Sequence, residues 1–184
     1  DLAFLKKTIP YYERDRAGKP LEQGTVLDHI ERALAFTNQN VGSHGIPLLG
    51  FADWNDTVNL PKGSESFFTA NLFGLVLKEL LPVIQALGRF NLLKKFQDVY
   101  QEMQRRVESC GWDGAWYLRY FDHKGRAIGS HKDEYCRIYL NGQSWTVLSG
   151  FASGERAKIA MDSVFDKLFT TSGLKISTPS FNGY

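Results

Sequence analysis

The stretch from Glu65 to Leu87, ESFFTANLFGLVLKELLPVIQAL, decides the fold. Phe67, Phe68, Leu72, Phe73, Leu75, Val76, Leu77, Leu80 and Leu81 fall on nearly every side of a 3.6-residue period. A helix of that kind is enclosed on several faces rather than laid on a surface. Ser64 is placed to cap its start, Glu65 to meet the helix dipole in the first turn, and Pro82 to kink or end it. The next stretch, Asn91 to Ser109, differs. Leu92, Phe96, Val99, Met103 and Val107 make one inward stripe, and Gln, Lys, Arg and Glu fill the rest, so this helix keeps one face in water. An enclosed helix followed by a half-exposed one is the alternation of a double-layered helical barrel.

Outward from this pair, Val26 to Asn40 predicts another helix. Thr25 is its N-cap, Asp28 lies in the first turn, and Val26, Ile30, Ala33, Leu34 and Thr37 form its stripe. Leu2, Leu5 and Ile9 read as the end of a helix closed by Pro10, and residues 13–24 as a loop. Residues 112–140 change character: Trp116 to Phe121 is aromatic and β-prone, and His123-Lys124-Gly125 is a turn signal, so a hairpin is expected. Residues 144–150 predict a short helix, and Ser153 caps a last one from Glu155 to Phe169. The expected fold is therefore mainly α: part of an (α/α)6 barrel, or α/α toroid, with a small β-hairpin insertion. Four or five helices are too few to close six pairs. Residues 1–184 are thus read as one partial barrel domain, open at both ends and in need of the remainder of the barrel.

Composition narrows the function. With 43% hydrophobic and 23% charged residues and a net charge of +2, the chain is an ordinary globular sequence without a basic footprint for nucleic acid. No apolar run approaches the roughly 18 residues of a membrane span, so neither nucleic acid nor membrane is expected as a partner. The two cysteines, Cys110 and Cys136, are too few for a disulfide framework or a four-thiolate metal site. They read as free thiols of a reducing compartment, and a cytoplasmic location is expected.

The chemistry sits in His44–Leu60, HGIPLLGFADWNDTVNL. Asp53 and Asp56, three residues apart, flank Trp54 and Asn55 inside a Gly- and Pro-bounded loop that still carries Ile46, Leu48, Leu49 and Phe51. Trp offers a flat apolar face to the C–H face of a pyranose ring. Asn and a carboxylate satisfy sugar hydroxyls, and a carboxyl beside an aromatic ring can hold a proton for a glycosidic oxygen. By residue type alone the same four residues also suit a plain turn, with Asp53 capping and Trp54 plugging the core.

The Asp53-Trp54-Asn55-Asp56 core, preceded by His44-Gly45-Ile46-Pro47-Leu48, resembles that of the cellobiose/chitobiose phosphorylases, glycoside hydrolase family 94. The flanking stretches Phe4-Leu5 to Ile9-Pro10-Tyr11, Gly24-Thr25-Val26, Trp112-Asp113-Gly114, Leu140-Asn141-Gly142-Gln143-Ser144-Trp145 and Glu155-Arg156-Ala157 carry the likeness along nearly the whole chain. The resemblance implies an inverting phosphorylase that cleaves a β-linked glucoside or disaccharide with inorganic phosphate to an α-sugar 1-phosphate. It implies Asp56 as general acid, Trp54 as a sugar-binding aromatic, supporting roles for Asp53 and Asn55, and a binding role for Gln143. No metal or organic cofactor is expected; phosphate is a co-substrate. The family's phosphate cradle draws on segments before and after this stretch, so the isolated chain is expected to be inactive, and a homodimer is the family's common form. The alternatives are the phosphorolytic domain of a cyclic β-glucan synthase and a non-catalytic sugar-binding helical module. Of the other polar residues, His44 reads as structural, and His131, Asp133 and Glu134 as a solvated loop rather than a metal site.

Overall fold

A computed structural model describes residues 1–50, 53–55 and 58–180. Six helices are described: α1 (Leu2–Leu5), α2 (Val26–Gln39), α3 (Phe67–Ala86), α4 (Phe90–Cys110), α5 (Leu140–Leu148) and α6 (Gly154–Leu168). The strands are short: β1 (Thr8–Pro10), β2 (Gln23–Thr25), β3 (Glu65–Ser66), β4 (Tyr120–Phe121), β5 (Ala127–Ile128), β6 (Ile138–Tyr139), β7 (Phe169–Thr170), β8 (Gly173–Leu174) and β9 (Ser177–Thr178).

The fold is mainly helical, and α3 is its axis. α3 packs against both α4 and α5, and α5 packs against α6. The alternation expected from hydrophobicity holds in part: Leu72, Leu75, Leu80 and Leu81 are only partly buried and Val76 is exposed, so α3 keeps one apolar side uncovered in residues 1–184. Phe67, Phe68, Ala70, Phe73, Leu77 and Ile84 of α3 are buried, while α4 buries only the stripe Leu92, Phe96, Met103 and Val107. Against the expectation that no apolar stretch reaches the length of a membrane span, α3 is long and apolar enough to cross one by length and composition, and here part of that apolar surface is shared between α4 and α5. The helix runs through Pro82 to Ala86 instead of ending there, with Ile84 wholly buried in the last turn. Thr25 closes a full capping box with Asp28: the Asp28 N–H donates to Thr25 Oγ1 at 3.1 Å, and the Thr25 N–H donates to the Asp28 carboxylate at 2.8 Å.

The hairpin is present as β4 and β5, closed by the Gly125 N–H donating to the Asp122 carbonyl at 2.9 Å. It is wider than expected, because β3 joins it as a third antiparallel strand. Two further expectations are corrected. Only Leu2–Leu5 is helical near the start. Ile9 and Pro10 belong to β1, which pairs with β2 and so takes up the end of the region expected as loop. The cap of α3 is Ser66, which accepts from the Thr69 N–H at 3.2 Å. Ser64 instead donates to the Pro61 carbonyl at 2.8 Å, because residues 65 and 66 are extended in β3.

Gly74 shows how tightly α3 is enclosed. A Cβ there would lie 2.2 Å from Cζ of Phe151, a ring that is wholly buried. Alanine in a helix interior usually gains about 1 kcal/mol over glycine. At this position overpacking costs about 1–3 kcal/mol and should win. Gly74→Ala is expected to destabilise the parent protein in chemical denaturation, and a stabilised variant would contradict this packing.

Candidate active site

The loop between α2 and α3 is tied down at several points. The Leu48 N–H donates to the Asn40 carbonyl at 2.9 Å and the Leu49 N–H to the Ser64 carbonyl at 2.8 Å. The strongest tie is Glu65. Its buried carboxylate accepts from the His44 N–H at 3.0 Å and the Ile46 N–H at 3.1 Å, and lies 2.6 Å from His44 Nδ1. The His44 ring stacks on Phe121 with centroids 3.8 Å apart, and a Cβ on Gly42 would lie 2.5 Å from Glu65 Cγ. Glu65 therefore serves the loop behind it rather than the dipole of α3, and His44 is structural, as its sequence position suggests.

The second half of the loop is anchored by a group the sequence reading missed. Arg119 Nη2 lies 2.5 Å from Asp53 Oδ1, and the two side chains are 1% and 3% exposed. Ser66 Oγ donates to Asp53 Oδ2 at 2.8 Å, and Arg119 Nη1 reaches Ser66 Oγ at 3.4 Å. The Arg119 guanidinium also lies 4.0 Å over the Tyr120 ring centroid. A charged pair this deep is tolerated only when its donors and acceptors are matched, and removing one partner typically costs about 3–5 kcal/mol. The available signal was the charge itself: an arginine inside the aromatic run Trp116–Phe121 needs a buried partner.

Asp53 also accepts from the Asn55 N–H at 3.2 Å, turning the chain over the anchor. The turn reading of Asp53 is therefore right, but Trp54 does not plug the core: it is 49% exposed. Asp53, Trp54 and Asn55 come together at the N-terminal end of α3. Asp56, the expected acid, lies outside the described residues, as does Phe51. Beyond the loop, Leu60 borders a cavity of about 480 Å³ whose other walls include Arg126, Asp133, Tyr135, Cys136 and Tyr139. Burial pushes the phenols of Tyr120 and Tyr139 above their ordinary range, against the opposing pull of Arg119. Both therefore stay protonated at neutral pH.

Gln143, read from the sequence as a sugar-binding residue, sits elsewhere. It is wholly buried, accepts from the Tyr117 N–H at 2.8 Å, and donates to the Tyr117 and Tyr139 carbonyls at 2.8 and 3.2 Å. Its carboxamide clamps main chain on either side and leaves no exposed polar atom for a sugar. Trp116 and Tyr117 are core residues, with Trp116 Nε1 donating to the Arg137 carbonyl at 2.8 Å. His131 pairs with Asp113 at 2.9 Å, and Asp133 accepts from the N–H groups of Gly129 and Ser130. Cys110 and Cys136 are free thiols. Burial pushes the Cys110 thiol up to about 11, reinforced by the charge of Glu65, so it is not a nucleophile at neutral pH.

The whole chain, residues 1–184, matches the catalytic domain of the glycosyl hydrolase 94 superfamily. The chain belongs to this superfamily. Among curated relatives, it is 31% identical to solabiose phosphorylase of Paenibacillus borealis, over 100% of this chain and 24% of that protein. It is 33% identical to N,N'-diacetylchitobiose phosphorylase of Vibrio proteolyticus, over 99% of this chain and 22% of that protein. The cyclic beta-(1,2)-glucan synthase NdvB of Rhizobium meliloti is 32% identical over 86% of this chain, which amounts to 6% of that protein. Among solved structures, the GH78 family rhamnosidase of Bacillus sp. GL1 superposes with a TM-score of 0.59 at 18% identity, over 76% of this chain and 14% of that one, a likeness of fold alone. The chain thus spans about a quarter of the length of the glycosyl hydrolase 94 phosphorylases it matches.

The Gln143 clamp makes a direct prediction. Gln143→Leu strips partners from Tyr117 and Tyr139 and should lower stability by about 2 kcal/mol or more, as buried main-chain groups are left unpaired. Chemical denaturation measures it, and unchanged stability would refute the clamp.

Proposed function

We propose that the protein carrying this chain is a β-glycoside phosphorylase that cleaves a disaccharide or short glucoside with inorganic phosphate and inverts the anomeric centre. What carries the reading is the half-exposed Trp54 on its anchored turn, two residues before Asp56, in a chain related along its whole length to named disaccharide phosphorylases. On this reading residues 1–184 form part of an (α/α)6 barrel and work with the remainder of it. The free thiols support a cytoplasmic protein, and a homodimer is the assembly expected of the family.

The mechanism follows from the nucleophile. An inverting hydrolase needs one carboxyl as acid and a second as base to activate water. Phosphate is already an anionic nucleophile, so a phosphorylase needs a single acid and a cradle for phosphate. A phosphate oxygen attacks the anomeric carbon from the face opposite the glycosidic bond. That bond breaks, its electron pair goes to the acceptor oxygen, and the Asp56 carboxyl gives that oxygen its proton. The products are an α-sugar 1-phosphate and the shortened acceptor, with no metal or organic cofactor in the step. Trp54 stacks on the sugar ring, Asn55 bonds its hydroxyls, and Asp53 supports both from beneath. The relationship to a cyclic glucan synthase favours a second reading, in which the same reaction trims a longer glucan.

The test is the parent protein incubated with cellobiose, sophorose, laminaribiose or chitobiose, with and without phosphate. Phosphate-dependent sugar 1-phosphate is expected from at least one, and Asp56→Asn should lower its rate by about 10²–10⁴, the usual worth of a positioned acid. Sugar release without phosphate would mean a hydrolase. Binding without turnover would mean a sugar-binding module, and a fully active Asp56→Asn would remove Asp56 from the mechanism.

A further inference from the structure

The cavity of about 480 Å³ beside Leu60 is not used by the motif or by the proposed reaction. We propose that it is a carbohydrate subsite that holds a further sugar unit of a β-glucan, beyond a disaccharide bound at Trp54. The inference rests on the phosphorylase reading and deepens it: the substrate class becomes an oligosaccharide longer than a disaccharide.

The cavity and the Trp54 turn share one stack of side chains. Asp53 pairs with Arg119, the Arg119 guanidinium lies 4.0 Å over the Tyr120 ring, and Tyr120 meets Tyr139 edge-on with centroids 6.4 Å apart. Tyr139 lines the cavity. The main chain joins them as well. The Val58 N–H donates to the Asn55 carbonyl at 3.0 Å, so the chain turns there, and Leu60 follows at the cavity edge. Such a turn brings its ends within about 7 Å, and the step from Val58 to Leu60 spans at most about 7 Å more. The cavity edge therefore lies within reach of a short oligosaccharide that starts at the motif. The walls are preformed. Ile128 stands on β5 and Tyr139 on β6, and β6 is itself paired with β9. Gly129 has a φ of 87°, and a Cβ there would lie 3.1 Å from the Tyr139 ring, so glycine lets that ring close in. Cys136 has a φ of 50°, uncommon outside glycine, and its N–H donates to the Pro179 carbonyl at 2.8 Å. Strain of this kind clusters at functional sites. The lining suits a neutral polyhydroxyl. Leu60, Ile128, Tyr135 and Tyr139 offer apolar surface to the C–H faces of a pyranose. Glu134 and Arg126 stand exposed at the rim, one to accept from hydroxyls and the other to donate to them. Arg126 Nε donates to Asp122 Oδ2 at 3.2 Å, which sets the guanidinium in place, while Asp133 accepts from the main chain of Gly129 and Ser130. Asp133 and Glu134 against the single cation Arg126 disfavour an anion, so phosphate is not the occupant. The volume falls within the roughly 300–1,000 Å³ of small-molecule sites, and the exposed rim leaves a glucan free to continue outward.

Cys136 lines the cavity and reports on its occupancy. The full-length protein is treated with iodoacetamide alone, with each disaccharide of the activity test, and with cellotriose, sophorotriose, laminaritriose or chitotriose. Labelling at Cys136 is read by peptide mass spectrometry, with Cys110, whose thiol burial keeps protonated, as the internal control. Cys136 is expected to label in the free protein, and a disaccharide to change its rate little. At least one trisaccharide, at about ten times its dissociation constant, should slow it about tenfold. Glu134→Gln and Tyr135→Ala should each lower the ratio of kcat/KM on that trisaccharide to kcat/KM on the disaccharide by about tenfold, the usual worth of one charged hydrogen bond or one stacked ring. Melting temperatures are compared first, and the exposed Glu134 keeps the test open if Tyr135→Ala does not fold. A Cys136 that does not label in the free protein, that no trisaccharide protects, or that a disaccharide protects equally would overturn the subsite, as would an unchanged ratio in Glu134→Gln. If no sugar yields sugar 1-phosphate, the phosphorylase reading falls, and protection of Cys136 by a trisaccharide decides by itself whether the cavity holds a glucan.

Discussion

The contact between Asp53 and Arg119 is the constraint on which the candidate site depends. Two charges at 1% and 3% side-chain exposure survive inside a protein only if each completes the other's hydrogen bonding. Here the match is extended by Ser66, so one carboxylate joins a loop, a helix cap and the residue that leads into β4. Asp53 faces the interior and cannot be released without leaving a guanidinium unpaired. With Asp53 turned inward and its oxygen also accepting from the Asn55 N–H, the half-exposed Trp54 stands between two fixed points. The same interaction thus holds the turn at residues 53–55 and leaves the Trp54 ring accessible.

Glu65 repeats the device on the other half of the loop, with main-chain donors in place of a guanidinium. Glu65 and Ser66 are consecutive residues of β3, and their side chains serve opposite ends of the same loop. Both rest on the pairing of β3 with β4, which sets Glu65 opposite Phe121 and Ser66 opposite Tyr120. The hairpin is accordingly the support of the site more than an insertion beside it. The enclosed helix α3 carries this arrangement, with Gly74 allowing Phe151 to close against it.

Helices α2, α3, α4 and α6 were legible in the sequence because each hydrophobic pattern repeats over many residues, whereas the short α1 ends at Leu5 and α5 begins at Leu140 rather than at residue 144. The stripes of α2 and α4 and the enclosure of α3 follow from period alone, and Thr25 with Asp28 marks a cap by local chemistry. What the sequence did not disclose is long-range. Nothing near residue 65 indicates that its carboxylate turns back to His44 and Ile46, so Ser64 reads as the cap when Ser66 is the cap. The short strand pairs β1–β2 and β6–β9 carry too few residues for a period of two to register. Within the site, Asp53, Trp54 and Asn55 were visible as residue types suited to sugars, and family resemblance supplied their order of importance. Arg119 and Ser66 were not, because their roles come from separations of 66 and 13 residues that no local pattern encodes. Gln143 misled for the same reason: a polar residue at a helix start suits a ligand as well as it suits the main chain of Tyr117.

The most direct test of this arrangement is a crystal structure of the full-length protein with a disaccharide and a phosphate mimic bound. A pyranose ring stacked on the face of Trp54, with Asp53 still paired to Arg119 and Ser66 beneath it, is the expected result. A sugar bound away from Trp54, or a loop that gives up the Asp53–Arg119 pair when the sugar binds, would contradict it.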